Sequence, residues 1–295
     1  MVLRQKKDLS YKNLFLPSET LLFGGNRTKS NYINSNFFFS IITVVLNNKD
    51  HLEETIVSVI NQKINLEYII IDGGSTDGTL DIIKKYEGFL NLWISEKDNG
   101  IYDAMNKGIK YSTGKFIGII NSGDLYNAEA LPIINKYFNE YKNLDFIFGT
   151  VNKKKIKQGF NKKKIHWSFD FYPSHSSGFF ISNISQKKIG LYDTTFKLSA
   201  DHDLFYRLIK NNFKGTATKK SEIIGHFRKI GGSFSSTFPF EDHMCEEVNI
   251  RLNNNQNRFL ICLIIINNYL MKIFKKKKYS ISFKTTLKLI KNVIK

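Results

Sequence analysis

Residues Phe37 to Leu46 form an apolar and β-branched run, and that run limits what the chain can become. A strand buried on one face alternates apolar with polar residues, so a continuous run reads as a strand covered on both faces. Asn47, Asn48 and Asp50 follow with turn and cap chemistry, and Leu52, Ile56, Val59 and Ile60 then share a helix face. The pattern repeats. Leu66 to Ile71 is a second buried strand ending at Asp72, Gly73, Gly74, Ser75 and Asp77 form its turn, and Leu80, Ile83 and Tyr86 pattern another helix. A strand near Leu90 to Ile94, a helix from about Ile101 to Tyr111 and a strand from Lys115 to Asn121 continue it. Strands and helices alternating through short connections predict an α/β fold with a mostly parallel central sheet flanked by helices. Such sheets bind ligands beyond the carboxyl ends of their strands, where Asp72 and Asp124 both fall.

With 295 residues and 42% apolar composition the chain can bury one sizeable core, which we expect to be one main domain with extensions. A formal charge of +18 attracts anions: nucleotide diphosphates, nucleic-acid phosphates or an acidic membrane leaflet. Basic residues cluster at 153–164 and in the tail instead of interleaving with aromatics on one module, which argues against a nucleic-acid-binding protein. A nucleotidyltransferase, the other enzyme reading, wants a glycine-rich basic loop after the first strand, and Leu46, Asn47, Asn48 and Lys49 offer none. Cys245 and Cys262 lack paired spacing and histidine partners, pointing away from disulfide or zinc frameworks and toward a reducing compartment. Met1 to Ser10 carries Arg4, Lys6 and Lys7 with no apolar run behind them, unlike a secretory signal, so a cytoplasmic location is expected.

Outside the alternating region, residues 1–36 are polar and aperiodic, an arm laid over the domain or partly disordered. Residues 152–164 read as a lysine-rich turn region, followed by aromatic segments at Trp167 to Tyr172 and Gly178 to Ile181 and a helix starting near Ala200. No acidic residue follows Glu247, while lysines recur to Lys295. Within that stretch Phe259 to Phe274 is apolar and helix-capable but shorter than the roughly 20 residues a membrane span needs. It predicts a helix lying in the membrane interface with lysines reaching headgroups, against the competing reading of a helix docked on the domain.

Four ordered segments carry a resemblance: SIITVVLNN at 40–48, YIIIDGGSTDGT at 68–79, ISEKDNGIYDAMNKGI at 94–109 and IGIINSGD at 117–124. They resemble the family 2 glycosyltransferases of bacterial cell-surface polysaccharide synthesis, which have the GT-A fold. HSSGFF at 175–180, SADHDLFYRL at 199–208 and FRKIGGSFS at 227–235 are similar to later family segments. The expected organisation is a polar arm at 1–36, a GT-A domain at 37–240 with its nucleotide-binding half at 37–124 and acceptor half at 125–240, and a basic amphipathic extension at 241–295.

The resemblance also implies a site. A carboxylate at a strand end accepts hydrogen bonds from a nucleobase imide or ribose hydroxyl, and Asp72 matches the family's nucleotide-binding aspartate, with Asn47, Gly74, Ser75 and Asn121 in the adjoining turns. Gly73 stands where the family often has a second acid. In the signature around residues 98–108, Asp98 and Gly100 lie toward the nucleotide. Tyr102, Met105 and Ile109 take the core side of that helix, leaving Asp103, Asn106 and Lys107 to cap it or meet ligand. Asp124 matches the family's metal motif, where Mg²⁺ or Mn²⁺ neutralises the departing diphosphate. Asn121 and Gly123 replace two commonly acidic neighbours. His175 is a further candidate for metal or diphosphate contact, and His226, ahead of a flexible loop at Gly231, Gly232 and Ser233, for phosphate. An acceptor hydroxyl must lose a proton as it attacks, and Asp201 is the candidate base with Asp203 as its alternate. One base opposite the leaving group implies inversion. The expectation is an inverting, metal-dependent transferase moving a hexose or N-acetylhexosamine from a nucleotide-diphosphate sugar, foremost a UDP-sugar, to a cell-surface glycan or lipid-linked acceptor at the inner face of the membrane.

Overall fold

The computed structural model describes residues 21–32, 35–169, 176–228, 240–275 and 282–294. Strands β1 (Leu22–Gly24), β2 (Phe39–Val45), β3 (Leu66–Asp72), β4 (Leu92–Ser95) and β5 (Phe116–Asn121) come first, with helices α1 (Lys49–Ile60), α2 (Thr79–Lys85) and α3 (Ile101–Tyr111) between the last four. Then follow β6 (Leu125–Tyr126), α4 (Ala130–Glu140), β7 (Phe146–Phe148), β8 (Thr150–Lys153), β9 (Lys155–Lys157), β10 (Phe179–Ser182), α5 (Asn183–Ile189) and α6 (Ala200–Lys210). The chain continues through β11 (Gly215–Ala217), β12 (Ile223–His226), α7 (Phe240–Asn253), α8 (Arg258–Lys275) and α9 (Phe283–Ile294).

The main sheet has the order β1-β4-β3-β2-β5-β10-β7-β11. In its first half β2 pairs parallel with β3 and β5, and β3 with β4, as the alternation predicts. Every residue of β2 is buried, with Ile42 and Val44 in one core and Phe39, Ile41 and Val45 in the other. That two-sided burial is why the segment contains so little polarity. On one face α3 presses close enough that a Cβ on Gly108 would strike Ile42, so the glycine sets the helix–sheet distance. The second half of the sheet is mixed. β10 runs antiparallel to both β5 and β7, because the chain makes an excursion through the β8–β9 hairpin and re-enters at the end it left.

A second sheet, β6-β12-β8-β9, was not expected. It takes up part of the lysine-rich region that reads as turn, since strands of two to four residues leave too short a pattern to register. At the far edge β1 pairs antiparallel with β4. Just beyond it Arg27 is buried, ion-paired to the fully buried Glu67 and donating to Tyr111 O (2.8 Å) and Thr113 Oγ1 (3.1 Å). Part of the stretch read as an arm is thus built into the sheet edge. Helices α7, α8 and α9 share a further apolar cluster through Met244, Val248, Ile261, Ile265, Leu289 and Val293. Among the described residues no helix is long and apolar enough to cross a membrane.

Candidate active site

Strand register sets the first wall of the site, aligning Val45, Asp72 and Ser95 and pairing Val44 with Asn121. Asp72 is wholly buried and accepts hydrogen bonds from Ser95 Oγ (2.6 Å), Ser75 N (3.1 Å) and Ser75 Oγ. It therefore shapes the turn through Gly74 and Ser75 before any ligand arrives. Asn47, with φ 47°, bridges to the same turn by accepting from Thr76 N (2.8 Å) and donating its own N–H to Ser75 Oγ (2.7 Å). Asp77 accepts from Lys49 N (3.1 Å) and Thr79 N (3.0 Å), so one carboxylate serves the first residues of α1 and α2 together. Burial works to raise its pKa, but hydrogen bonds from Thr79 and Lys49 prevail and hold it below its ordinary value.

Gly73 has a steric explanation, since a Cβ there would run into Asp98 Oδ2. A side chain at residue 73 would require the Asp98 carboxylate to move. Burial raises the pKa of Asp98 above the usual carboxylate range, against the N–H of Gly100 (2.9 Å) and the charge of Lys107. Lys107 is itself held by Glu96 (2.8 Å) and Asp103 (3.5 Å), and Asp103 accepts from Asn99 N (3.1 Å). Asn106 differs from expectation. It is buried, and its amide exchanges two 2.9 Å hydrogen bonds with the backbone N–H and C=O of Tyr192. Its polar duty inside the helix is to clasp a distant loop.

Asp124 sits in the tight turn after β5, with Gly123 at φ 97°. Thr55, buried on α1, builds that turn by accepting from Gly123 N (2.8 Å) and donating to Asp124 O (3.0 Å). The Asp124 side chain is 3% exposed, and its Oδ1 accepts from Arg228 N (3.3 Å). Burial pushes its pKa up to about 7, only partly offset by that N–H and by Lys153. Such a carboxylate gains from a neighbouring cation. Among the described residues it belongs to no set of three potential metal ligands. Asn121 Nδ2 donates to Ser176 Oγ (3.0 Å), which ties the end of β5 to the segment before β10. Beside Asp124 opens a cleft of about 510 Å³ lined by Leu125, Asn152, Lys154, His226, Phe227 and Arg228.

The second aspartate stands at the start of α6. Asp201 accepts from Tyr102 Oη (3.1 Å) and from His202 N (3.0 Å), which brings the α3 signature and the later motif together. Asp203 points elsewhere. It is 4% exposed and bound by Arg207 Nε (2.8 Å) and Asn254 Nδ2 (3.1 Å), and the same arginine donates to Ile189 O and Leu191 O. Asp203 thus organises the base of the helix and is removed as an alternate base, since both its oxygens are committed in the interior. Under Asp201 runs a buried ionic chain: His202 pairs with Glu247, and Glu247 with Arg251 (3.1 Å). His243 brings a third ligand-type atom within 4.8 Å of those of His202 and Glu247, but Arg251 already balances the Glu247 charge, so we read a salt network rather than an ion site.

Burial opposes a charged His202, yet the Glu247 carboxylate outweighs it, with Asp201 adding, and the pKa rises to about 9. The folded pKa exceeds the unfolded one, so this group's stabilisation is complete below about pH 6.5 and disappears as pH climbs through about 9. Melting temperature should therefore fall by several degrees between those limits, and a His202→Gln variant should lose that slope. A wild-type melting temperature flat across the window would contradict the assignment.

His175, Gly231, Gly232 and Ser233 lie outside the described residues. Thr55 and Lys153 went unnoticed in the sequence. Lys153 stacks over Phe227 (4.2 Å), and burial lowers its pKa while the charges of Asp124 and Asp201 both raise it. Nothing in the sequence separates it from neighbouring Lys154 and Lys155; only its place at the end of β8 does.

A parallel half with a buried aspartate after β5, facing a mixed half with a second aspartate at a helix start, defines a GT-A glycosyltransferase. The sequence profile described as Glycosyl transferase family 2 matches residues 40–204, more than half of the chain, and the protein belongs to that family. An uncharacterized glycosyltransferase of Mycobacterium tuberculosis is 31% identical over 185 residues, covering 57% of this chain and 67% of that protein. A PGL/p-HBAD biosynthesis glycosyltransferase of Mycobacterium bovis is 34% identical over 118 residues, covering 38% of this chain and less than half, 46%, of that protein. Among solved structures, S. aureus TarS 1-349 in complex with UDP-GlcNAc aligns with TM-score 0.59 and 18% identity over 87% of this chain and 71% of that one. The mannosyltransferase PcManGT from Pyrobaculum calidifontis, in complex with GDP-Man and Mn²⁺, aligns with TM-score 0.58 and 10% identity over 88% and 80%. At these identities the structural likeness speaks to the fold alone.

Proposed function

We propose that the protein is an inverting transferase that moves a hexose or N-acetylhexosamine from a UDP-sugar to a cell-surface glycan or lipid-linked acceptor. The observation that carries this reading is the placement of two aspartates at element ends: Asp124 in the turn after β5, held by Thr55 and Arg228 N, and Asp201 at the start of α6, tied to α3 by Tyr102, with the charge of Lys153 between their influences. Asp201, oriented by Tyr102, accepts the acceptor's hydroxyl proton as the new bond to the anomeric carbon forms and the bond to the diphosphate breaks. Asp124 is the residue that would hold a divalent ion, which when bound stabilises the charge on the departing diphosphate. Lys153 adds positive charge near Asp124, while Asp72 acts at the nucleotide end by holding the Gly74–Ser75 turn, beside which Asp98 lies. The UDP donor is carried over from the family resemblance, and the envelope acceptor draws support from the relative named for PGL/p-HBAD biosynthesis.

A panel of nucleotide sugars tested by thermal shift and donor hydrolysis, each with Mn²⁺ or Mg²⁺ and with chelator, examines this directly. A UDP-sugar near a hundredfold its dissociation constant should add about 2.7 kcal/mol of stability, a shift of several degrees. GDP-sugars stabilising in its place would move the donor assignment, and no response to any nucleotide sugar would remove it.

A further inference from the structure

Helices α8 and α9 lie antiparallel, since Arg258 at the start of α8 donates to Val293 O near the end of α9 (2.7 Å) and the Tyr269 and Phe283 rings meet at the other end, 5.8 Å apart. Each turns one face into the buried cluster shared with α7. The opposite face of α8 carries Phe259, Leu263, Ile266 and Leu270, spaced by four, three and four residues and each 38–70% exposed. On α9, Phe283, Leu287 and Ile294 are 43–70% exposed, with Lys284, Lys288 and Lys291 exposed along their border. The Tyr269–Phe283 contact joins the two stripes. Soluble monomers seldom leave so continuous an apolar surface uncovered.

Charge selects the occupant. Neither helix contains an acidic residue, and a second copy placed across a two-fold contact would set lysines against lysines. We propose that α8 and α9 form a docking face for an anionic phospholipid bilayer, the apolar stripes entering the acyl boundary and the lysines lying among headgroup phosphates. The inference depends on no assignment of donor or acceptor, and its test uses neither.

The full chain should co-sediment with phosphatidylcholine vesicles containing about 30% phosphatidylglycerol, and at least about tenfold more weakly with pure phosphatidylcholine. The triple variant Lys284→Glu, Lys288→Glu, Lys291→Glu and the apolar pair Phe259→Ser, Leu287→Ser should each weaken anionic-vesicle binding by about tenfold or more, with melting temperature unchanged. Failure of the wild-type chain to bind anionic vesicles overturns the proposal. So does unchanged binding by the triple variant, whose substituted side chains are all exposed. A lipid-free dimer that the same substitutions dissolve also overturns it, in favour of a second copy of the chain.

Discussion

Asp124→Asn should abolish transfer and yet give a protein that melts at a higher temperature in metal-free buffer. The substituted amide keeps an oxygen for the N–H of Arg228 and fills the same space, so the turn built by Thr55 survives. What it removes is a buried charge. For a carboxylate whose folded pKa of about 7 exceeds its unfolded value, the cost to the folded state starts near pH 4 and grows until pH passes 7. At pH 8 the variant should gain on the order of 2–4 kcal/mol, or roughly 5 °C or more. Transfer should fall by about a thousandfold or more, because the charge that forms on the leaving diphosphate loses its counterion site. Melting curves with chelator and with Mn²⁺, read beside initial rates, check both halves. A destabilised variant would show Asp124 to be a structural turn residue, and retained rates would separate it from the chemistry.

The second large effect is expected at Asp201. Its carboxylate is held by Tyr102 and His202 N at the head of α6, so Asp201→Asn preserves shape while ending proton acceptance. The rate of transfer should drop by about 10²–10⁴-fold. Donor binding, followed by thermal shift, should stay within about twofold, which distinguishes this variant from Asp124→Asn. An activity loss that tracks weakened donor binding would put Asp201 with the nucleotide instead. Asp203→Asn, by contrast, should lower stability through the broken ion pair with Arg207.

Elements that announce themselves in the sequence do so because burial on two faces forces continuous apolarity. β2, β3 and β5 are of that kind, and their ends locate Asp72 and Asp124 with little room for error. The start of α6 was equally legible, which placed Asp201. Asn106 was misread because its partner, the Tyr192 backbone, lies 86 residues away and no local pattern reports it. Asp203 looked like a spare base for a similar reason, since Asn254 arrives from beyond α7. The second sheet escaped notice because its strands are shorter than one period of reliable alternation, and Lys153 was hidden among lysines that share its chemistry but not its location. Gly73, which stands where the family often has an acid, lies directly against the Asp98 carboxylate, a neighbour 25 residues away that no local pattern reports.

The pair Arg27–Glu67 lies at the opposite end of β3 from Asp72, far from any chemistry, and it decides where this chain can be cut. A shortened gene beginning at Ser40, where the family match starts, would leave Glu67 sealed in the interior without its guanidinium, with only Ser40 and Thr113 to share the charge. The portion recognisable by kinship therefore stops short of a charge the interior depends on, and a workable excision of the enzyme has to include Arg27.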